Sequence, residues 1–133
     1  MKVEIVEFEM GARQAAQRRA VTVVVDALRA SATATTALAL GADAVLPVRT
    51  VEAARRYVGR TGFRVAGERD AITCEGFDFG NSPTELRHRQ SQLLGQTLVL
   101  TTSNGTRMVS AASDGAAAVL LGTTVNGDRK SVV

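Results

Sequence analysis

The chain has 133 residues, 45% of them apolar and only 4% aromatic, with no Trp and a formal net charge of +3. This length suits one domain with its own core, and the shortage of aromatics means that Val, Leu and Ala must build it. Charges of both signs are interspersed with no basic run longer than a pair, which argues against a nucleic-acid partner, and no apolar run approaches a membrane span.

Lys2–Phe8 alternates apolar and polar residues and predicts an edge or half-buried strand. It is acidic and unlike a signal peptide, so the cytoplasm is the expected location. Ala12–Arg19 is polar and compatible with a helix or a loop. Val21–Val25 is a β-branched run that predicts a strand buried on both faces. Ser31–Leu40, rich in Ala and Thr, predicts a buried helix packed on the sheet, with Gly41 closing it.

Ala44–Val48 reads as a strand, and Val51–Gly59 as a helix with Val51, Ala54 and Val58 on one face. Phe63–Ala66 reads as a strand. Gly67–Pro83 has broken periodicity and predicts a long loop. It carries Cys74, the single cysteine, which has no disulfide partner and no zinc-ligand spacing around it and reads as a half-buried small residue. Thr84–Arg89 suggests one or two helical turns, with His88 on the surface. Thr97–Leu100, Gly105–Ser113 and Ala116–Leu121 follow as strand, helix and strand. This alternation predicts an α/β fold: a mostly parallel sheet with helices on both faces, three layers in all.

In such sheets ligands bind beyond the carboxyl ends of the strands. After Val25 come Asp26, Arg29, Ser31 and Thr33. Asp26 is suited to a metal or to proton transfer, and Arg29 offers a bidentate fork to phosphate or sulfonate. The plainer alternative is that Asp26 caps the next helix with Arg29 as its ion-pair partner. After Ala66, Gly67-Glu68-Arg69 places a second carboxylate at a strand end; the alternative is a solvated loop residue. Gly76-Phe-Asp78-Phe-Gly80-Asn81-Ser82-Pro83 reads as a turn and helix cap whose amides can form an anion-binding nest. Thr101-Thr102-Ser103-Asn104-Gly105-Thr106 puts five hydroxyl or amide side chains between a strand and a helix, more than capping needs. They can cradle an oxyanion, although no P-loop pattern is present.

Together these segments resemble the 2-phosphosulfolactate phosphatase family of coenzyme M biosynthesis. The matching pieces are Val25-Asp26-Ala-Leu-Arg29-Ala, Gly67-Glu68-Arg69, Gly76-Phe-Asp78-Phe-Gly80-Asn81-Ser82-Pro83, Thr101-Thr-Ser-Asn104-Gly105-Thr106, and Val119-Leu-Leu-Gly122 leading to Asn126. Ser31, Ala32 and Ser103 depart mildly from the family pattern but stay small or hydroxylic. The resemblance implies a Mg²⁺-dependent hydrolase that converts 2-phosphosulfolactate, or a related phosphoester, to sulfolactate and phosphate.

On that footing Asp26 and Glu68 are expected to hold Mg²⁺. Arg29 and the loop Thr101, Thr102, Asn104, Gly105 and Thr106 are expected to bind phosphate or sulfonate. Asn81, Ser82 and Asn126 are expected to contact substrate, and Asp26 or Asp78 to orient the water. A phosphorylated-aspartate route is disfavoured because Leu28 stands where a second Asp would be needed. The family's members are about twice this length. Residues 1–127 are therefore expected to be the N-terminal part of a longer phosphatase-like protein, with an incomplete sheet. Asp128–Val133 matches one frame of a sequencing adapter and is expected to be a non-native tail. Two other readings stay open: a non-catalytic module that binds an anionic metabolite, and an inactive fragment of the enzyme. Self-association also stays open.

Overall fold

The computed structural model describes residues 2–127. The elements follow as α1 (Phe8–Gln17), β1 (Val21–Val25), α2 (Ala30–Ala39), β2 (Ala44–Pro47), α3 (Val51–Arg55), β3 (Phe63–Arg69), β4 (Ile72–Thr73), α4 (Pro83–His88), a 3₁₀ turn at Gln90–Gln92, β5 (Thr97–Thr101), α5 (Gly105–Ser113) and β6 (Ala118–Gly122). Four strands pair in the order β2-β5-β3-β4, and β1 pairs separately with β6. Every pairing is parallel except the short β3–β4 hairpin. The fold is therefore α/β with a mostly parallel sheet, as the alternation of periods predicts.

The four-stranded sheet is covered on both faces. Leu98 and Leu100 of β5 pack with Ala34 and Ala37 of α2 and Leu86 of α4. Val99 and Val65 turn the other way and pack on Ala54 of α3. The period-2 alternation of strand side chains produces this split. Helix α2 buries seven of its ten residues because Ala, Ser and Thr are small enough for close packing on the sheet. Leu40 caps it, and Gly41 takes φ +97°, the left-handed turn that ends the helix.

Several expectations need correcting. Lys2–Phe8 is not a strand: residues 2–7 have no regular structure, and α1 begins at Phe8. The amphipathic face of α1 packs on α5 through Ala12, Ala111 and Ala112, and that burial outweighs the local alternation. Strand Val21–Val25 is not buried on both faces. Val24 is buried, but Val21, Val23 and Val25 are 62%, 54% and 66% exposed. The helix expected over Val51–Gly59 ends at Arg55 and continues as turns, leaving Val58 exposed. The Phe63–Ala66 strand runs on to Arg69, so Glu68 lies within β3. The loop Gly67–Pro83 contains β4 and a bridge between Ala66 and Phe79.

His88 is exposed and Cys74 half-buried, as expected. No helix among the described residues is long and apolar enough to cross a membrane. The tail Asp128–Val133 lies outside the described residues.

Candidate functional site

The carboxyl ends of β1, β3 and β5 open into one cavity of about 660 Å³, a volume suited to a small-molecule ligand. Asp26, Arg29, Glu68, Asn81, Thr102 and Asn104 line it. Asp26 comes from the two-stranded sheet. Glu68 and Thr102 come from the four-stranded one, so the site straddles both.

Asp26 stands where two helices begin. The amides of Ala30, at the start of α2, and Gly105, at the start of α5, face its carboxylate and favour its charged form. Burial opposes them and dominates, and the nearby Glu68 charge adds to it, so the Asp26 carboxyl titrates above the usual carboxylate range. Gly105 is required by contact: a Cβ there would sit 2.4 Å from Ala30 Cβ and 2.5 Å from Asp26 Oδ2.

Glu68 has the opposite balance. Burial pushes its pKa up, but donors outweigh it and hold the carboxyl below its ordinary value. The Ser103 amide donates to Oε1 at 2.9 Å, the Ala71 amide to Oε2 at 2.9 Å, and the Ser103 hydroxyl to Oε2 at 3.1 Å. Asp70 and Ala71 form the turn into β4 that brings the second amide into reach.

Arg29 is half-buried in the cavity wall, and among the described residues it has no carboxylate within ion-pair distance. The ion pair between Arg29 and Asp26 that the plainer reading required is therefore absent, although Asp26 does serve both helix starts. The guanidinium is left for an anion.

The remaining expected residues are placed elsewhere. Asp78 Oδ2 accepts from the Val65 amide at 2.8 Å and ties its loop to the edge of β3. Ser82 caps α4, accepting from the Glu85 amide, while Glu85 Oε2 accepts from the Gly80 amide. Thr101 is fully buried and accepts from Arg69 Nη2 at 2.8 Å. Thr102 and Thr106 exchange side-chain-to-amide bonds of 2.9 and 3.2 Å across the start of α5. Asn126 spends both its polar atoms on the turn after β6, accepting from the Thr123 amide and donating to the Leu121 carbonyl. Asp78, Ser82, Thr101, Gly105, Thr106 and Asn126 thus shape the site's surroundings and do not line the cavity.

The motifs do not point to Asp70 or Ala71 as site residues, nor to Ser103 as the partner of Glu68. Ser103 sits inside the hydroxyl-rich motif, so its chemistry is visible in the sequence; that its donors converge on Glu68 is not. Among the described residues no group of three or more His, Cys, Asp or Glu converges. Asp26 and Glu68 remain the pair able to face a cation. Asp26, whose ionisation is opposed by burial and by the Glu68 charge, and Glu68 suit Mg²⁺, which commonly takes one or two carboxylates and completes its shell with water and phosphate oxygens.

The family described as 2-phosphosulpholactate phosphatase matches residues 9–132. A Clostridium acetobutylicum protein named probable 2-phosphosulfolactate phosphatase is 38% identical over 130 residues, covering 96% of this chain and 54% of that protein. A Thermotoga petrophila protein of the same name is 47% identical over 87 residues, covering 65% of this chain and 37% of that protein. One from Clostridium novyi is 37% identical over 128 residues, covering 95% and 53%. The chain spans about half the length, or less, of these relatives.

Proposed function

The chain belongs to the 2-phosphosulpholactate phosphatase family, and on that premise we propose that its cavity forms part of the site of a Mg²⁺-dependent phosphatase acting on 2-phosphosulfolactate or a close phosphoester. The observation that carries the reading is the convergence of two carboxylates of opposite pKa bias, Asp26 and Glu68, beside the guanidinium of Arg29.

Phosphate ester hydrolysis needs the dianion held, a water aimed in line and the leaving oxygen stabilised. Arg29 binds two phosphate oxygens through its fork, and Asn81 and Asn104 supply neutral donors. Glu68, kept anionic by its three donors, orients positive charge in the cavity. Asp26, which lines the cavity, orients the attacking water and takes its proton. Mg²⁺ held by Asp26 and Glu68 would supply positive charge against the phosphate oxygens.

The test is phosphate release from 2-phosphosulfolactate, with and without Mg²⁺, by this chain and its Asp26→Asn and Glu68→Gln variants. Mg²⁺-dependent release that both substitutions abolish is expected. Wild-type rate and Mg²⁺ affinity in both variants would overturn the assignment. A second reading, an anion-binding unit without turnover, rests on Arg29, which lines the cavity and has no carboxylate partner among the described residues. Phosphate binding without release would select it.

A further inference from the structure

Asn81 is 6% exposed, and Thr33, fully buried in α2, reaches it from 48 residues away. The Thr33 hydroxyl donates to Asn81 Oδ1 at 2.7 Å. Asn81 Nδ2 meets no protein partner among the described residues, yet it is not one of the sealed-off unpaired polar atoms, which are Thr36 Oγ1 and Thr123 Oγ1. Nδ2 is thus not sealed off, and Asn81 is one of the residues that line the cavity.

A carboxamide turned by 180° keeps its shape but exchanges donor for acceptor, so its hydrogen-bond partners decide which end faces a ligand. A carbonyl oxygen turned to the cavity would repel a phosphate or sulfonate oxygen, whereas the NH₂ group attracts it. A helical Thr hydroxyl commonly donates to the carbonyl four residues back. Here the Arg29 carbonyl takes the Thr33 amide at 2.8 Å, and the hydroxyl is committed to Asn81.

We propose that Thr33 is a positioning residue of this site, whose hydroxyl fixes the Asn81 carboxamide with its NH₂ group towards the cavity as a preset donor for one oxyanion oxygen. This rests on the anion-binding part of the reading above. Neither residue needs to change charge, and the contact joins α2 to the loop before α4, so the donor is set before the ligand arrives.

The test is side-chain amide NMR on this chain with inorganic phosphate as the probe. In the free protein the Asn81 NH₂ protons are expected to exchange freely with water, because they face the cavity. Protection of those protons would mean that Nδ2 points at Thr33, and it would overturn the proposal without any variant. Added phosphate is expected to shift the Asn81 NH₂ signals. Thr33→Val is expected to weaken phosphate about tenfold, the scale of one lost hydrogen bond to a charged group, and Thr33→Ser to restore it. Equal phosphate affinity in wild type and Thr33→Val would also overturn it. If the wild type binds no phosphate, the anion-site reading falls and the preset-donor role falls with it. The exchange measurement still reports the orientation separately.

Discussion

The two sheets of this protein are built from similar residues and live in different surroundings. In the four-stranded sheet Val65, Val99 and Leu98 are completely buried, because α2 and α4 cover one face and α3 the other. In the β1–β6 pair, Val119 packs on α5 and Leu121 on the α2 side, but the opposite face shows Val21, Val23 and Val25 to solvent. A run of valines therefore does not by itself carry stability. What it contributes depends on whether a helix lies over it. The cavity sits across the division, so its geometry depends on two sheets that are held together through helix packing and not by a shared strand pairing.

The largest break in this comparison comes from matched truncations. Leu98→Ala in the covered sheet is expected to cost about 2–5 kcal/mol, while Val23→Ala on the open face is expected to stay within about 0.5 kcal/mol. Urea denaturation of both variants measures this. Equal losses would mean that the β1–β6 face is covered in solution.

Gly105→Ala strikes the junction itself. The new Cβ would meet Ala30 of α2 and the Asp26 carboxylate at once. A loss of about 1–3 kcal/mol is expected, as for overpacking elsewhere, with a further loss of phosphate affinity as Asp26 and Arg29 are displaced. Denaturation and calorimetric titration read the two effects separately.

The smallest effects sharpen the comparison through pH. The folded pKa of Glu68 lies below its unfolded value, so its contribution is present above the unfolded value and lost as pH falls through the folded one. Glu68→Gln is therefore expected to melt lower than wild type at neutral pH and to converge with it in acid. The pKa of Asp26 is raised, so ionising it costs stability as pH rises from the unfolded value through the folded one. Asp26→Asn is expected to match or exceed the wild-type melting temperature at neutral pH and to lose that advantage in acid. Melting temperatures measured across a pH series decide both signs.

Much of the fold is legible in the amino-acid sequence. Helix α5 begins and ends where its sequence predicts, and α2, β2 and β5 lie within a residue of expectation. They are marked by apolar runs, small-residue composition or an obvious start or stop residue, such as Gly41 or Gly105. The N-terminus misleads because the seven alternating residues Lys2–Phe8 satisfy a strand pattern that finds no pairing partner among the described residues. β4 escapes sequence reasoning because a two-residue strand has no period to detect. In the site, Asp26, Arg29, Glu68, Asn81, Thr102 and Asn104 stand out in the sequence and do meet. Asp78, Ser82, Thr101 and Asn126 carry the same chemistry but spend it on backbone groups or on Arg69.

The class of fold follows from local periodicity, and the motifs that resemble the family, with their anion- and cation-binding side chains, are equally plain in the linear chain. Which of those groups remain available depends on packing between distant segments. Whether a carboxylate is charged, or an amide faces a ligand, depends on donors that arrive from other segments: Ser103 on Glu68, Gly105 on Asp26 and Thr33 on Asn81. Those partners lie 35, 79 and 48 residues away, and a linear pattern carries no record of contacts at that range.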